Sequence, residues 1–385
     1  MVTLTSADSV LKSAYLDAVC EQLNMRTNPF YAAIQKGSEE ICGTEAIVPC
    51  RYGINGGIGA GTETGDLPSA GGNNYVRLAC DLRNIYGTVE ISDKALRAGS
   101  RSAGALVNVL NEEMEGLLES AKFNFARMLW QDGTGKLATI GKDATTTVFP
   151  VDDTRNLAEG MLVDVMSGTT VSASGVKIKA INRANKTVTV EKAVATAPSE
   201  NNFLTVQQSY NREIFGLPYV FSTTQSKFYN HMRSAVGYLL PQTTTATQPL
   251  STALMQTMLD DIEVSSGNDI NMILTGYDVR RKYLAYLETS RTNVDYMNLD
   301  GGFKSLAYNG IPVVADRFCP DASMYFVNTD DFKLVQLADW QWIEGENGSV
   351  LTQLGKTPSY IGTLVKYANL LCRRPMGQAV LTSIA

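Results

Sequence analysis

The sequence lacks the residues on which most nucleic-acid-binding proteins and zinc enzymes depend. Lysine and arginine number 33 against 39 aspartates and glutamates, and the formal net charge is −6. A protein that holds nucleic acid by neutralising phosphates needs a clear basic excess on some face. There is one histidine, His231, in 385 residues, which excludes any zinc site built on two or three histidines.

Paired cysteines and long apolar runs are also missing. The six cysteines form no Cys-x-x-Cys pair, so neither a zinc site nor a redox motif is indicated, and we interpret all six as small buried apolar residues. No apolar run reaches the length of about 18 to 20 residues that spans a bilayer. The N-terminus has no basic segment followed by an apolar core. These absences predict a protein made and used in the cytosol.

Two glycine-rich stretches do not match the phosphate-binding motifs. Residues 54–74, INGGIGAGTETGDLPSAGGNN, contain seven glycines in 21 positions and no lysine. The glycines at 57, 59 and 61 are followed by threonine where the dinucleotide-binding fingerprint needs its last glycine. In GTGKL, residues 133–137, Leu137 replaces the hydroxyl residue of a P-loop. We therefore interpret the longer stretch as a flexible structural arm.

No catalytic constellation is visible. There is no Gly-x-Ser-x-Gly elbow, and Ser9 and Lys12 match a penicillin-binding fragment without its companion Lys-Thr-Gly. His231 lies in FYNHMRSAV, which we predict to be helical, and no partner residue is identifiable nearby. Adjacent acids at 152–153, 260–261 and 330–331 suit loops and helix caps. Acids converging on His231 in a deep pocket would revive an enzymatic interpretation.

The first half of the chain predicts a helix, a hairpin and a long helix. Residues 10–24 have helical apolar periodicity, and strands at 44–52 and 75–92 flank the glycine stretch as a long hairpin. In the second strand the apolar positions change parity, which predicts a β-bulge near Arg83 and Asn84. Apolar residues three and four apart predict a helix over 102–130, roughly 43 Å long, with Gly133 able to stop it.

The second half predicts a small β unit and then a mixed region. Short alternating strands between 147 and 210 fit a compact β-barrel-like insertion. Helices follow at 250–263 and in GYDVRRKYLAYLE, where Thr275 and Asp278 have the spacing of a capping box. Strands are predicted at 270–274, 310–316, 323–328 and 332–338, and over much of 360–384. The fold class is α+β.

The order of these parts resembles the major capsid proteins of tailed bacteriophages, whose fold encapsulins share. The resemblance rests on the helical arm, the glycine-tipped hairpin and the acidic helix ending MLWQDGTGKLATI. It also rests on GIPVVAD, SMYFVNTDDFKLVQLADWQW and the closing GTLVKYANLLCRRPMGQAVLTSI. It covers nearly the whole chain except the β insertion. It implies an N-arm (1–43), an E-loop (44–91), a P-domain with a spine helix (92–146), the insertion (147–210), a connector (211–244), an A-domain (245–345) and a return to the P-domain (346–385).

The resemblance also implies a function without catalysis, cofactor or metal. Members self-assemble as pentamers and hexamers into an icosahedral shell around double-stranded DNA, which is packaged without sequence-specific binding. The expected partners are other copies of the chain, a portal protein at one vertex, a decoration protein and a scaffolding protein. A separate scaffold is expected because the N-terminus lacks a long charged helical prodomain. The expected location is the virion capsid, assembled in the cytoplasm of a bacterial host without any membrane.

Charged residues on the arm and on a polar loop are the candidate subunit contacts, because exposed charges on an arm either find partners across an interface or stay solvated. Around the E-loop these are Arg51, Glu63, Asp66 and Arg77. In ETSRTNVDYMNLDGG, which the resemblance directs to the centre of pentamers and hexamers, they are Arg291, Asp295 and Asp300. Residues 51–76 contain no lysine, so the lysine–asparagine crosslink of some family members is not expected from this loop.

Three alternatives remain open. An encapsulin-like nanocompartment shell protein encloses a cargo enzyme, but such proteins are usually shorter and have no β insertion. A soluble enzyme with an unrecognised site would need the nucleophile, metal or phosphate motif that the sequence does not display. A tail or other virion protein is disfavoured by the order of hairpin and long helix.

Overall fold

The computed structural model describes residues 28–94, 103–289, 296–298, 304–345, 348–353, 355 and 357–385. The helix predicted at 10–24 lies outside these residues. The first described element is the short helix α1 (Pro29–Ala33). Asn28 caps it by accepting a hydrogen bond from the Tyr31 N–H at 3.2 Å, and Pro29 occupies the first turn, where its missing N–H costs nothing.

The other elements follow in chain order. The strands before the long helix are β1 (Gln35–Gly37), β2 (Ile41–Cys42), β3 (Glu45–Tyr52), β4 (Asn74–Asp81) and β5 (Arg83–Ser92). Next come helix α2 (Ala103–Met128), strands β6 (Lys136–Thr139), β7 (Val148–Pro150), β8 (Leu162–Ser167), β9 (Thr170–Asn182), β10 (Thr187–Val190) and β11 (Phe203–Val206), and helix α3 (Leu217–Phe221).

The remaining part contains two further helices. It runs through β12 (Lys227–Phe228), β13 (His231–Met232), β14 (Gln242–Thr245), α4 (Thr252–Ser266), β15 (Met272–Thr275), α5 (Tyr277–Thr289), β16 (Tyr296–Asn298), β17 (Lys304–Tyr308), β18 (Ile311–Ala315) and β19 (Met324–Val327). It ends with β20 (Phe332–Trp342), β21 (Thr352–Gln353), β22 (Ser359–Cys372) and β23 (Ala379–Thr382). Short 3₁₀ turns occur at Arg233–Ala235, Gly237–Leu239, Thr329–Asp331 and Pro375–Gly377.

The predicted hairpin is present, but the β-bulge predicted near Arg83 and Asn84 is wrong. β3 and β4 pair antiparallel from Glu45↔Asp81 to Tyr52↔Asn74. The strand then breaks at Leu82, and β5 pairs with β22 in a different sheet, from Arg83↔Ala368 to Ser92↔Ser359. The change in parity therefore marks the point at which the chain passes from one sheet to another, because the two sheets bury opposite faces of this stretch.

The body of the molecule forms around that second sheet. Its strand order is β1-β20-β22-β21, and β5 joins at β22. The long helix α2 crosses β5 where Gly87 has no side chain, since a Cβ there would lie 3.1 Å from the Leu117 methyl group. The helix confirms the sequence prediction to within two residues at each end, and it ends at Met128, five residues before Gly133.

The insertion is a six-stranded sheet that nearly closes on itself. Its strand order is β6-β11-β8-β9-β10-β7, and an isolated bridge between Ile140 and Val151 joins the two outer strands. Leu137, Phe149 and Val163 belong to its separate apolar core. The barrel-like form agrees with the sequence prediction, but β6 places the start of the sheet at Lys136, before the range 147–210.

A third unit carries the helices α4 and α5 on a seven-stranded sheet of order β14-β23-β19-β15-β18-β17-β16. Ser251 caps α4, and Gly267 ends it with a left-handed backbone at φ 59°. The capping box predicted for α5 is wrong. Thr275 is part of β15, and its hydroxyl donates to the Ser323 carbonyl at 3.2 Å, while Asp278 accepts from the Ala322 N–H at 2.6 Å.

One buried ion pair joins the end of α2 to the chain as it leaves the insertion. Two Arg127 nitrogens donate to Glu213, Nη1 to Oε2 at 2.9 Å and Nη2 to Oε1 at 2.5 Å, and both side chains are shielded from solvent. A bidentate ion pair can offset the desolvation cost of both charges, whereas the desolvation cost of a single buried charge without a partner is not offset. The pair thus fixes the return of the chain against the helix.

We expect Glu213→Gln to destabilise the unassembled chain by about 3 kcal/mol, because it leaves a buried guanidinium without its countercharge. Glu191→Gln is the matched control. It breaks the exposed Lys177–Glu191 pair and should cost less than about 1 kcal/mol. Urea unfolding followed by circular dichroism measures both. Equal midpoints for the two variants would contradict the role given to the buried pair.

Candidate subunit interface

The hairpin has a buried base and a projecting end. On the inner face of β3 and β4 the buried side chains alternate with exposed ones and join the core of the body, namely Ala46, Val48, Cys50, Val76, Leu78 and Cys80. The ring of Tyr52 lies 6.1 Å from that of Tyr238. Residues 59–75 are all exposed. The base is therefore part of the folded body, and only the connecting loop reaches into solvent.

Two glycines bring the two sides of this loop together. A Cβ on Gly71 would lie 2.3 Å from the Gly57 nitrogen, and a Cβ on Gly57 would lie 2.6 Å from the Gly71 nitrogen. Asn55 accepts from the Gly57 N–H at 3.0 Å. These two glycines are needed for a close approach of backbones. They enclose residues 58–70, which we call the lobe.

The lobe, together with Ile54 just before it, exposes apolar and acidic side chains. Ile54, Ile58 and Leu67 are 88%, 91% and 90% exposed. Large side chains so fully open, grouped on one projection, are typical of a surface that is covered in an assembly. The charged residues of the lobe, Glu63 and Asp66, are also exposed and are both acidic.

The other predicted charges divide between the hairpin base and an undescribed loop. Arg51 and Arg77 are exposed on β3 and β4, and their partners across the ladder, Tyr75 and Pro49, place them on one face of the hairpin. The same face carries the exposed acids Glu45 and Asp81, so the hairpin base is mixed in charge, whereas the lobe is acidic. The other candidates, Arg291, Asp295 and Asp300, lie outside the described residues.

A second, smaller hairpin forms hydrogen bonds with the edge of β4 that does not pair with β3. The side-chain oxygen of Asn230 accepts from the Ala79 N–H at 3.0 Å, and its amide nitrogen donates to the Arg77 carbonyl at the same distance. His231 Nε2 lies 2.7 Å from the Arg77 oxygen. One asparagine side chain therefore makes the two bonds that another strand would make at these positions.

The contact of Asn230 with β4 was not predicted from the sequence, and the helix predicted around His231 is wrong. The segment is not helical: β12 and β13 pair across the two-residue turn Tyr229–Asn230. The Tyr229 hydroxyl donates to the Leu370 carbonyl at 3.0 Å and accepts from the Cys372 N–H at 3.0 Å, which ties the turn to β22. Asparagine between two short β-forming runs is the one signal that could have indicated a tight turn.

A wide groove lies beside the hairpin base. It has a volume of about 1280 Å³ and runs between β5, the outer face of α2 and the insertion. Tyr86 and Leu162, which both line it, are 56% and 46% exposed. Arg83 and Arg212 also line it. Arg83 Nε is buried there without a hydrogen-bond partner among the described residues.

The described residues include no group of three histidine, cysteine or acidic residues that could hold a metal ion. The cavity nearest the second hairpin, about 340 Å³, is lined by Glu45 and Asp81 but not by His231. Of the predicted acid pairs, Asp152 serves a loop by accepting from the Thr139 N–H at 2.8 Å, and Asp330 and Asp331 lie in a 3₁₀ turn. The prediction is wrong for Asp260 and Asp261, which lie inside α4.

Most of the cysteines are the buried apolar residues that the sequence indicated. Cys50, Cys80, Cys319 and Cys372 are buried, and burial raises the pKa of the Cys80 thiol to about 12. Such thiols stay protonated and unreactive. The prediction is wrong for Cys42, which is exposed, and Cys20 lies outside the described residues. In the described part of the chain, no helix is both long enough and apolar enough to cross a lipid bilayer.

Comparison with solved structures assigns the fold. The capsid asymmetric unit of cyanophage A-1(L) superposes with a TM-score of 0.57 and 12% sequence identity, over 94% of this chain and 93% of that one. The chain has the fold of a phage capsid protein. The holo-SrpI encapsulin of Synechococcus elongatus PCC 7942 gives 0.48 at 8% identity, over 92% and 87% of the chains. Gordonia phage Cozz gives 0.45 at 10%, over 93% and 87%. No protein-family model matches the sequence, and no curated protein matches it.

In this fold, one loop connects the body, the insertion and the unit that carries α4 and α5. Residues 316–322 follow β18, and Arg155 of the insertion contacts them by donating to the Cys319 carbonyl and by pairing with Asp321 at 2.5 Å. The ring of Phe318 meets that of Phe123 on α2 at 5.3 Å, edge to face. The loop therefore connects the seven-stranded sheet to both the long helix and the insertion.

The same loop contains a buried carboxyl group. Asp316 is 3% exposed, and burial is the largest cause that raises its pKa to about 6. The N–H of Phe318, which donates to Oδ1 at 2.8 Å, opposes this rise. Asp316 Oδ2 has no hydrogen-bond partner among the described residues. The folded chain therefore binds a proton here at a pH where the unfolded chain does not.

We expect the hydrogen bonds from Asn230 to β4 to determine how readily the hairpin base opens. Asn230→Ala removes both side-chain bonds to β4, and the loss of one to two net hydrogen bonds should speed amide exchange at Ala79 by about tenfold. Asn73→Ala, which alters an exposed amide in the connecting loop, is the control. Hydrogen exchange read by mass spectrometry on the unassembled chain tests this. Unchanged exchange at Ala79 in Asn230→Ala would refute this role of Asn230.

We expect Asp316 to make the unassembled chain more stable at pH 5 than at pH 7, by about 1 kcal/mol. Its folded pKa is raised, so its stabilisation is complete below the unfolded value near 3.8 and is lost as pH rises through about 6. Asp316→Asn should lack this contribution. Urea unfolding of both proteins at the two pH values gives the difference, and identical pH dependence in the two would contradict the assignment.

Proposed function

We propose that this chain is the major capsid protein of a tailed bacteriophage. In this role it assembles as pentamers and hexamers into an icosahedral shell around a double-stranded DNA genome. The observation that carries the proposal is the agreement in fold with a phage capsid protein along 94% of the chain at a TM-score of 0.57. The exposed apolar lobe supports it, because such a surface is suited to contact between copies.

On this proposal the parts of the chain have the following roles. The hairpin (44–91) is the E-loop, α2 is the spine helix of the P-domain, and the unit with α4 and α5 is the A-domain. The final stretch (346–385) returns to the P-domain through β22, which pairs with β5 and β20, and its last strand, β23, lies in the seven-stranded sheet. The N-arm would occupy 1–43. The insertion would extend to 210, and its sheet begins at β6.

The lobe would work by becoming ordered on a neighbouring copy. An exposed glycine-rich loop costs conformational entropy to fix, so each contact it makes stays weak. Every subunit of a closed shell contacts several neighbours, and the resulting effective concentration makes the sum of weak contacts strong. Wrongly placed subunits can therefore leave before the shell closes. We assign Glu63 and Asp66 on the lobe, and Arg51 and Arg77 on its base, to these contacts.

The composition suits a container. A net charge of −6 keeps the chain from holding DNA tightly, and a shell that held DNA tightly would impede its packaging. We propose no catalytic activity, and we place the protein in the virion capsid, assembled in the bacterial cytoplasm. A separate scaffolding protein, a portal at one vertex and a decoration protein are the proposed partners. Arg291, Asp295 and Asp300 are proposed contacts around the capsomer centre.

Expression in bacteria followed by negative-stain electron microscopy tests the proposal. The chain is produced alone and together with the adjacent reading frames of its source genome. We expect closed polyhedral shells, or polyhedra and spirals of capsomers, with uniform size only when the scaffold frame is present. Closed shells of one uniform size from the chain alone would remove the need for a scaffold. Shells that enclose a host protein would favour an encapsulin-like compartment, and a monomer in every condition would overturn the proposal.

A further inference from the structure

We propose that Asn55, at the start of the loop that joins β3 to β4, is a site of spontaneous deamidation, and that the reaction opens the neck of the lobe. The neck consists of residues 55–57 and 71–73, where the two sides of the loop approach each other. The reaction takes place within one chain. The inference therefore goes beyond the proposed function and does not depend on it.

The chemistry needs only an asparagine, the residue after it and water. The backbone nitrogen of the following residue loses its proton to a base in the solvent and attacks Cγ of the asparagine. The new C–N bond closes a five-membered succinimide ring, and the Cγ–Nδ2 bond breaks with release of ammonia. Water then opens the ring. Attack of water at Cγ leaves aspartate, and attack at the main-chain carbonyl carbon leaves isoaspartate.

Three Asn–Gly pairs meet the sequence requirement, because glycine has no Cβ to hinder the attack. They begin at Asn55, Asn309 and Asn347. Asn347 lies outside the described residues. The other two pairs have the same chemistry, so the structure around each of them decides which one reacts.

The backbone around Asn55 favours the attack. Its Oδ1 accepts from the Gly57 N–H at 3.0 Å, which folds the side chain over its own following peptide and brings Cγ towards the Gly56 nitrogen. The same N–H stabilises the negative charge that develops on Oδ1. Gly56 is exposed, and a Cβ there would meet nothing within 4 Å. Its N–H donates no hydrogen bond to the described residues, so the nitrogen is open to a base and free to move.

The backbone around Asn309 opposes the attack. Asn309 and Gly310 form the turn between β17 and β18 with left-handed φ angles of 49° and 77°. Tyr308 and Ile311 pair on either side of the turn, and Asn309 Nδ2 donates to Gln256 Oε1 on α4 at 2.8 Å. Closing the succinimide ring would rotate the peptide after Asn309 out of this turn. The ladder and the bond to α4 resist that rotation.

The two products at position 55 differ in their effect on the neck. Aspartate keeps an oxygen for the Gly57 N–H, although it loses the amide that donates to Asn73 Oδ1 at 3.4 Å. Isoaspartate directs the main chain through the side-chain carbons and so lengthens its path by one carbon. A Cβ on Gly71 would clash with both the Gly57 nitrogen and Asn55 Oδ1, so this crossing has no room for a displaced chain. Isoaspartate, and not aspartate, therefore opens the neck.

Ageing of the unassembled full chain tests the chemistry. The chain is kept at mildly alkaline pH, because the attacking nitrogen must be deprotonated, and is then digested with trypsin, which releases peptides 52–77 and 305–317. We expect peptide 52–77 to gain the mass of an amide-to-acid change about tenfold faster than peptide 305–317, because the second hairpin turn must open before Asn309 reacts. Fragmentation of the first peptide should place the change at Asn55.

Ageing in guanidinium chloride removes the contribution of the fold. There Asn309 should react as fast as Asn55, while Asn55 should react at a similar rate in the folded and unfolded chains. If Asn55 reacts in the folded chain as slowly as Asn309, the proposal is wrong. Asn55→Ala, aged in parallel, should leave peptide 52–77 unchanged. A mass gain in that variant equal to the gain in the wild-type chain would place the reaction at Asn73 or Asn74 and overturn the proposal.

Hydrogen exchange tests the effect on the neck. Anion exchange isolates the aged chains, which carry one more negative charge, and methylation by an isoaspartyl methyltransferase identifies the isoaspartate among them. We expect amide exchange at Gly57 to be several-fold faster in this fraction than in the fresh chain. Asn55→Asp is the matched control, because it has the same charge with an unaltered main chain, and it should exchange like the fresh chain. Equal exchange in the aged fraction and in Asn55→Asp would refute the opening of the neck.

Discussion

The pairing of β5 with β22 is the interaction on which the rest of the architecture depends. It joins residues 83–92 to a strand almost at the other end of the chain, and it forms the sheet against which α2 packs. Because β4 continues directly into β5 across Leu82, the same pairing also sets the direction in which the hairpin leaves the body. A long-range ladder of this kind brings a large entropy cost during folding, and it can form only once the C-terminal strand is present.

Most of the fold could be read from local periodicity. The long helix, the hairpin and the helices α4 and α5 appeared where apolar spacing placed them, since each buries one face. The errors occurred where tertiary contacts determined the local structure. A bulge was predicted near Arg83 and Asn84 because the sequence records a change of buried face and does not record which sheet each face packs in. Thr275 and Asp278 had cap spacing, but their side chains bond the loop that follows β18.

The candidate interface was less accessible to sequence reasoning than the fold. The charged residues of the hairpin could be identified in the sequence, and the resemblance to capsid proteins made them candidate subunit contacts. Asn230 and Tyr229 were missed because their partners, in β4 and β22, are more than a hundred residues away in the chain. The groove beside the hairpin could not be predicted at all, because its walls come from parts of the chain that only the folded structure brings together.

The insertion shows how such a protein can change without being rebuilt. Its first and last strands, β6 and β11, are neighbours in the same sheet, with Thr139 opposite Phe203. The chain therefore enters and leaves the insertion at nearly the same place, and the Arg127–Glu213 pair closes the junction beneath it. The insertion has its own apolar core, so it is a module that evolution or a protein engineer can enlarge, trim or exchange while the path of the surrounding body stays the same.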